Sequence, residues 1–543
     1  MRECPRSTAV VLSLAVAACG SGGGGTVPPG GADVVVRVDV SASRHPISPF
    51  VYGYNAAAAS AAPPGTTWLR LGGNRWTAYD WETNDSNAGS DYLYENDTYM
   101  GQPSDGAGHA ALPSLADAQS RGIGLCVTVP IQGWVARDGN GPVGSGGSFP
   151  APSVRFLPLS AKKSTGFLDP PDATDGSVYA DEFAWFLARR WTTAARPLHL
   201  MLDNEPDLWS STHPEVQQTA LTYAAFLARS LEFASALKDA APGALLFGPV
   251  SYGWNGFVNL QNAPDANGRD FLDFYLAQMG QASATQGRRL LDVLDLHFYS
   301  EAQGCGVRVT DAGNGDCLVA ARVQAPRSLW DPSYVETSWI TQYSTGGRAI
   351  ALVPRMLGKI AAAFPGTFLS ISEYNHGGSD HVSGAVAQAD TLGILGREGA
   401  YAASFWPLLA DNSFAAGAWL AFRDYDGAGG AFGDTSVSAE SGDVAHVSAF
   451  ASVDEASPDR VVLVLVHRPT LSGGSLDLRS RTVQVEVAHA RAFSRARAWQ
   501  LTASSPVRGG AATPGMVADP AIAGTVVTLV LPALSVTTVE LSP

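Results

Sequence analysis

Leu198-His199-Leu200-Met201-Leu202-Asp203-Asn204-Glu205-Pro206-Asp207-Leu208-Trp209 is an apolar run that stops abruptly at polar side chains and a proline. A run this short, closed by turn-forming residues, fits a strand buried on both faces. The pattern returns in Phe368-Leu369-Ser370-Ile371-Ser372-Glu373-Tyr374-Asn375, where the run again leads to a glutamate. Eight such runs can be read, at 50–54, 68–71, 124–130, 198–202, 245–250, 293–299, 368–373 and 402–406. Stretches of helical period lie between several of them. In 181–191, Phe183, Phe186, Leu187 and Trp191 share one helical face. A second helix is expected from Pro214 to about Asp239, stopped by Ala241-Pro242-Gly243, a third over about 334–364 and a fourth over 385–396. Strands alternating with helices across 46–434 predict an α/β fold of the TIM-like (β/α)8 barrel type. An open doubly wound sheet is the alternative, but no Gly-x-Gly-x-x-Gly loop follows the first strand.

The pattern changes after about Asp434. Segments 461–466, 482–487, 526–531 and 535–541 are β-rich and separated by Gly, Pro and Ser, with no helical period of useful length. Residues 435–543 therefore read as an additional all-β sandwich domain. Residues 34–40 alternate apolar and polar, so 33–45 is expected to add an N-terminal strand to it. Loops 83–111 and 136–175 are too long for simple connections and are expected to shape a cleft.

Residues 1–19 read as a targeting segment. Arg2 and Arg6 flank an apolar run, 9–18, too short to span a bilayer. Val16-Ala17-Ala18-Cys19 resembles a bacterial lipobox, which makes Cys19 the lipidation site; ordinary signal-peptide cleavage nearby is the plainer alternative. Residues 20–32 are Gly/Ser/Pro-rich and read as a tether. The expectation is a bacterial secreted or cell-surface, outer-membrane lipoprotein that meets the membrane only through its N-terminal lipid. Cys305 and Cys317 flank a short Gly-rich loop and are expected to pair in an oxidising compartment, whereas Cys126 reads as a buried thiol.

The 543 residues carry a net charge of −15. That balance repels nucleic acid and leaves a neutral glycan as a possible partner. Thirteen Trp are more than a core requires, and flat indoles stack on sugar rings. No partner protein is implied, and a monomer is expected.

In a barrel the reactive side chains come from the C-terminal ends of strands. Glu205 follows the fourth run and Glu373 ends the seventh, which sets two carboxylates on opposite walls of one mouth. Cleaving a glycosidic bond needs such a pair, one to protonate the leaving oxygen and one to attack the anomeric carbon or activate water. Glu373 is assigned as nucleophile and Glu205 as acid/base, its pKa raised partly by the neighbouring Glu373 charge. Either glutamate alone would more often be a surface or salt-bridged residue.

Leu69-Arg70-Leu71-Gly72-Gly73-Asn74-Arg75-Trp76-Thr77, the stretch from Asp80 to Asp91, Leu202–Trp209, Asp295-Leu296-His297-Phe298-Tyr299 and Ser372-Glu373-Tyr374-Asn375 followed by Phe405-Trp406 together resemble glycoside hydrolase family 44. The resemblance covers about 33–543, the β domain included. It implies a retaining endo-β-1,4-glucanase acting on cellulosic or xyloglucan chains, with Glu205 as acid/base and Glu373 as nucleophile. Substrate-binding candidates then follow. Asn204 is placed to bond a sugar 2-hydroxyl. Tyr299 and Arg70 are placed to hold Glu373 ionised, and Asn74 lies in the same motif. Trp406 is a candidate floor at the cleavage point, and Trp134, Trp209 and Trp254 are candidates for outer subsites. His297 either lines the site or is a satisfied core histidine. No cofactor is required for this chemistry. His376 and His381 give a weak metal reading, and a structural Ca2+ is conceivable in the acidic segment from Asp91 to Asp97. Alternatives are an endo-xylanase, mannanase or transglycosylase on the same scaffold, or a non-catalytic glycan-binding surface lipoprotein.

Overall fold

The computed structural model describes residues 31–56, 61–144, 148–193 and 196–543. The targeting segment, Cys19 and nearly all of the tether lie outside them. Eight parallel strands close into a barrel: β1 (Phe50–Asn55), β2 (Trp68–Leu71), β3 (Gly124–Val129), β4 (His199–Leu202), β5 (Leu245–Ser251), β6 (Val293–Tyr299), β7 (Phe368–Asn375) and β8 (Ala402–Phe405). Each coincides with one of the eight apolar runs.

Period-two alternation explains why those runs carry both apolar and reactive residues. In β2, Leu69 and Leu71 face outward into the main core, while Trp68 joins the barrel interior. In β4, Leu200 and Leu202 face outward and Met201 inward. The interior is packed in layers, as barrels of this type require. Near its base, Trp68 Nε1 donates to His199 Nδ1 at 2.9 Å, and His199 Nε2 lies 3.0 Å from the Tyr401 hydroxyl. Arg70, Cys126 and Asp295 form a buried polar tier above.

Helices surround the barrel, with boundaries that differ from several expectations. The helix expected from Pro214 begins at Tyr223 and runs to Ala240, capped by Thr222, whose hydroxyl accepts from Ala225 N. The stretch 334–364 is not one helix: a π turn, Ile340–Ser344, is separated from Leu352–Ala363 by Gly346-Gly347, both at positive φ. The fourth helix is Val382–Arg397.

The C-terminal region is a largely β structure built on one hydrogen-bonded sheet that includes Val34–Asp39. That N-terminal strand lies between Thr435–Ser441, antiparallel, and Arg481–Ala488, parallel. Strand Ser457–His467 faces two cores at once. Val461, Leu463 and Leu465 enter the β domain's own core, and Val462, Val464 and Val466 join the barrel's. Gly393 lets that packing close, because a Cβ there would stand 2.3 Å from Phe450. A fully buried ion pair, Arg468 Nη1 to Asp390 Oδ2 at 2.6 Å, ties the sheet to helix Val382–Arg397.

Candidate active site

At the C-terminal mouth, Glu205, His297 and Glu373 each present a ligand atom within 4.8 Å of the others. Glu373 reaches the interior through an irregularity. The pairing of β6 with β7 slips between Leu296 and His297, so that Ile371 is followed in register by Glu373. Strict alternation would turn Glu373 outward beside Ile371. The slip lets Ser372 and Glu373 both face in, which is a recognised use of a bulge beside a reactive site. Ser372 donates to Asp295 Oδ2 at 2.7 Å.

Glu373 is held at both oxygens. Arg70 Nη1 donates to Oε1 at 2.5 Å, and the Tyr299 hydroxyl donates to Oε2 at 2.7 Å. Arg70 is 1% exposed, so it supports the carboxylate from beneath and does not reach a sugar, contrary to its place among the substrate contacts. Its Nη2 donates to Asn204 Oδ1 at 2.7 Å, and Nη1 also to Asn55 Oδ1 at 3.1 Å. Asn55, the last residue of β1, was missed by the sequence reading, which ended that strand one residue early. Its amide also donates to Ser372 O. The signal available was a polar residue closing a strand, as at Asn375.

Glu205 sits in the left-handed region, φ 45°, with Asp203 at φ 66°. Asp203 braces this turn by accepting from the backbone N–H groups of Ile131, Gln132 and Asn204. The Glu205 Oε1 to His297 Nδ1 distance is 2.8 Å. Burial raises the Glu205 carboxyl to about 7; Arg70 opposes this and Asp91 adds to it. The neighbouring carboxylate that adds to the shift is Asp91 rather than Glu373. Burial lowers His297 to about 3, keeping it neutral, and Nε2 has no partner among the described residues. His297 is therefore neither a loosely placed lining residue nor a satisfied core histidine.

Asn204 Oδ1 also accepts from Gly73 N at 3.2 Å. Trp406, part-buried at the end of β8, lies over Gly73, where a Cβ would stand 2.9 Å from the indole. Asn74 donates to Asp91 Oδ1 at 2.7 Å. Trp134 is part-buried on a loop strand, Trp134–Ala136. Trp209 is corrected: it is 0% exposed, gives Nε1–H to Asn204 O at 3.1 Å, and packs edge-on to Phe226, so no sugar reaches it. Trp254 is 7% exposed, with Nε1 donating to Ser344, and offers a cleft only its rim.

Cys305 and Cys317 form a disulfide, and Cys126 is a buried thiol. The acidic segment considered for Ca2+ has its end carboxylates occupied by protein donors. Asp91 accepts from Asn74, and Asp97 from Arg75, Ser86 and Tyr99 N. His376 and His381 do not act together. His376 is buried without a partner for either ring nitrogen among the described residues, whereas His381 caps Val382–Arg397.

Comparison with known proteins follows the same lines. A family model described as glycoside hydrolase family 44 matches residues 85–302. Endoglucanase A of Paenibacillus lautus is 38% identical over 454 residues, 80% of this chain and 64% of that protein. Beta-mannanase/endoglucanase A of Caldicellulosiruptor saccharolyticus is 37% identical over 463 residues, 80% of this chain and 34% of that one. The chain thus spans less than two thirds of the length of either relative. Among solved structures, a family 44 xyloglucanase of Paenibacillus polymyxa superposes with a TM-score of 0.87 at 35% identity, covering 94% of this chain and 99% of that one. A family 44 endoglucanase of Clostridium thermocellum gives 0.86 at 34% identity, with 94% and 99% covered.

Proposed function

Because this chain belongs to glycoside hydrolase family 44, we propose that it is an endo-acting β-1,4-glucanase cutting cellulosic or xyloglucan chains with retention of configuration. The observation that carries the reading is the closeness of the Glu205 and Glu373 oxygens, within 4.8 Å. Retaining enzymes hold their carboxyls at about 5–5.5 Å and inverting ones at about 6.5–9.5 Å, which leaves room for water.

In the first step Glu373 Oε attacks the anomeric carbon while Glu205, protonated, gives its proton to the departing sugar oxygen. A glycosyl ester on Glu373 results. Glu205, now a carboxylate, takes a proton from water, whose oxygen bonds to the anomeric carbon as the ester breaks. Tyr299 and Arg70 hold Glu373 aimed by a hydrogen bond to each of its oxygens. His297 Nδ1 faces Glu205 Oε1 at 2.8 Å and positions the carboxyl that must alternate between acid and base. Asn204, its oxygen taken by Arg70 and Gly73, has its amide nitrogen left to donate to a sugar 2-hydroxyl. None of these steps calls on a metal. Export as a lipoprotein is part of the proposal; the lipobox-like Val16–Cys19 sequence and the Cys305–Cys317 disulfide support it.

The test follows viscosity and new reducing ends on xyloglucan, carboxymethyl cellulose, xylan and glucomannan, beside Glu373→Gln. A fast viscosity drop on the first two, absent in the variant, is expected. Binding without turnover by the native protein would instead mark a glycan-capturing protein.

A further inference from the structure

Beyond Tyr299 the mouth opens into a cavity of about 590 Å³ between the loops that follow β5, β6 and β8. The part-buried Trp339 supplies indole surface, Trp254 adds only its rim, and Leu408 and Leu409 close the far side. The polar wall belongs to one small loop. Gln303–Gly304 and Val307–Arg308 form a hairpin whose turn residues, Cys305 and Gly306, both have positive φ.

This loop is fastened from three sides. The disulfide joins its turn to Cys317, in the first turn of helix Asp316–Gln324. Gln303 N donates to Thr337 O. Beneath it the fully buried Arg322 donates to Val309 O, Gly313 O, Asn314 Oδ1 and Ser383 Oγ at 2.7–3.2 Å. So many constraints on an exposed hairpin fix the direction of its side chains before anything binds, which lowers the ordering cost of binding.

What the loop presents to the cavity is a part-exposed charged pair. Arg308 Nη2 pairs with Glu301 Oε1 at 2.6 Å, and Nε donates to Ser300 O at 3.1 Å. Beside this pair the buried Thr310 hydroxyl has no partner among the described residues. Both charged side chains are part-exposed. An indole and two leucines flanking a paired donor and acceptor match a sugar ring, apolar on its faces and hydroxylated at its edge.

The side of the cleavage point follows from Glu205. Its carboxyl leans toward β6 through His297, and the turn beneath it is bonded to the β5 loop, with Tyr252 N donating to Asp207. A proton delivered there meets an oxygen whose sugar lies along the β5 and β6 loops.

We propose that this cavity binds the leaving-group side of the glucan chain, and that Arg308 and Glu301 select the sugar there through its hydroxyls. The inference rests on the two-carboxylate reading above. It is tested in the full chain by comparing kcat/KM on xyloglucan or carboxymethyl cellulose with that on an aryl β-cellobioside, whose leaving group is not a sugar. For Arg308→Ala, the loss on polymer is expected to exceed the loss on the aryl substrate by about tenfold, the weight of a charge-assisted hydrogen bond. Arg308→Lys should restore part of it. The paired replacement Cys305→Ser, Cys317→Ser should shift the same ratio by freeing the loop. Equal losses on both substrates, or no loss on either, would overturn the assignment. Glu301→Gln provides the same comparison should Arg308→Ala not fold, and cleavage of neither substrate by the native protein would count against the glycosidase reading instead.

Discussion

In the proposed mechanism Glu205 must carry a proton, and its backbone conformation is unusual for a residue with a side chain. A non-glycine residue at φ 45° costs roughly 1–3 kcal/mol. Asp203 holds the turn in place through three backbone N–H groups, so the strain is spent on aiming one carboxyl into the cleft. The same placement buries it and raises its pKa to about 7. An acid works only while protonated, so kcat/KM on unactivated glucan should fall above about pH 7, by about tenfold per pH unit once the limb is reached. His297, near 3, stays neutral throughout and contributes no limb there. Rate measurements from pH 5 to 9 test this. Glu205→Gln should lose most activity on glucan, retain far more on aryl glycosides with good leaving groups, and show no basic limb on the latter. A wild-type rate on xyloglucan that stays flat to pH 9 would remove Glu205 from the acid role.

At the scale of elements, the strands could be read and the loops could not. Each barrel strand is covered on both sides, inward by its neighbours and outward by helices, so the chain must be apolar over a short length, and that shows in sequence. Glu373 and Tyr299 were visible because they end such runs, and Glu205 because it stands in the turn that follows one. Alternation also shows that His297 faces inward, but not that it reaches Glu205, nor that a slipped register brings Glu373 in. The burial of Trp209 was equally invisible, because it depends on a helix elsewhere in the chain, Tyr223–Ala240. Pro214-Glu215 looked like a helix start; Glu215 is instead committed to a buried pair with His213 at 2.9 Å. The long loop after β3 is another case. It is anchored where Lys163 Nζ meets Glu182 Oε2 at 2.7 Å, with side chains 3% and 0% exposed, and Asp175 lies 3.8 Å away. Removing one partner of a buried pair strands the other, at about 3–5 kcal/mol. Lys163→Met should lower unfolding stability by that order in urea titration, and Lys163→Met with Glu182→Gln should recover a substantial part of it. A single variant as stable as the native protein would show that this cluster is open to solvent.

Over the whole molecule, the burial that tunes Glu205 acts on other carboxyls as well. Asp80, Asp207 and Asp295 are raised to about 7 and Glu82 to about 9, burial being the largest cause for each. A carboxyl whose folded pKa exceeds its unfolded value near 4 binds more protons folded than unfolded. Stability then falls as pH rises between the two values. The buried histidines His199, His297 and His376, each lowered to about 3, work the other way, since unfolding lets them take up protons. Their influence ends near the unfolded value of about 6.5, above which they are neutral in both states. Below about pH 6.5 the two sets oppose each other; above it only the carboxyls remain. The melting temperature should therefore decline from about pH 6.5, most steeply up to about pH 7 and more gently from there to about pH 9, the range in which the basic limb of activity also lies. Calorimetry at several pH values separates the two, because Glu205→Gln removes the limb and leaves most of the decline in stability. Glu82→Gln takes away the titration that extends furthest and should flatten the decline between about pH 7 and 9. A melting temperature that rises over this range would mean that these carboxyls are ionised inside the folded protein, and the raised acid of Glu205 would lose its physical basis with them.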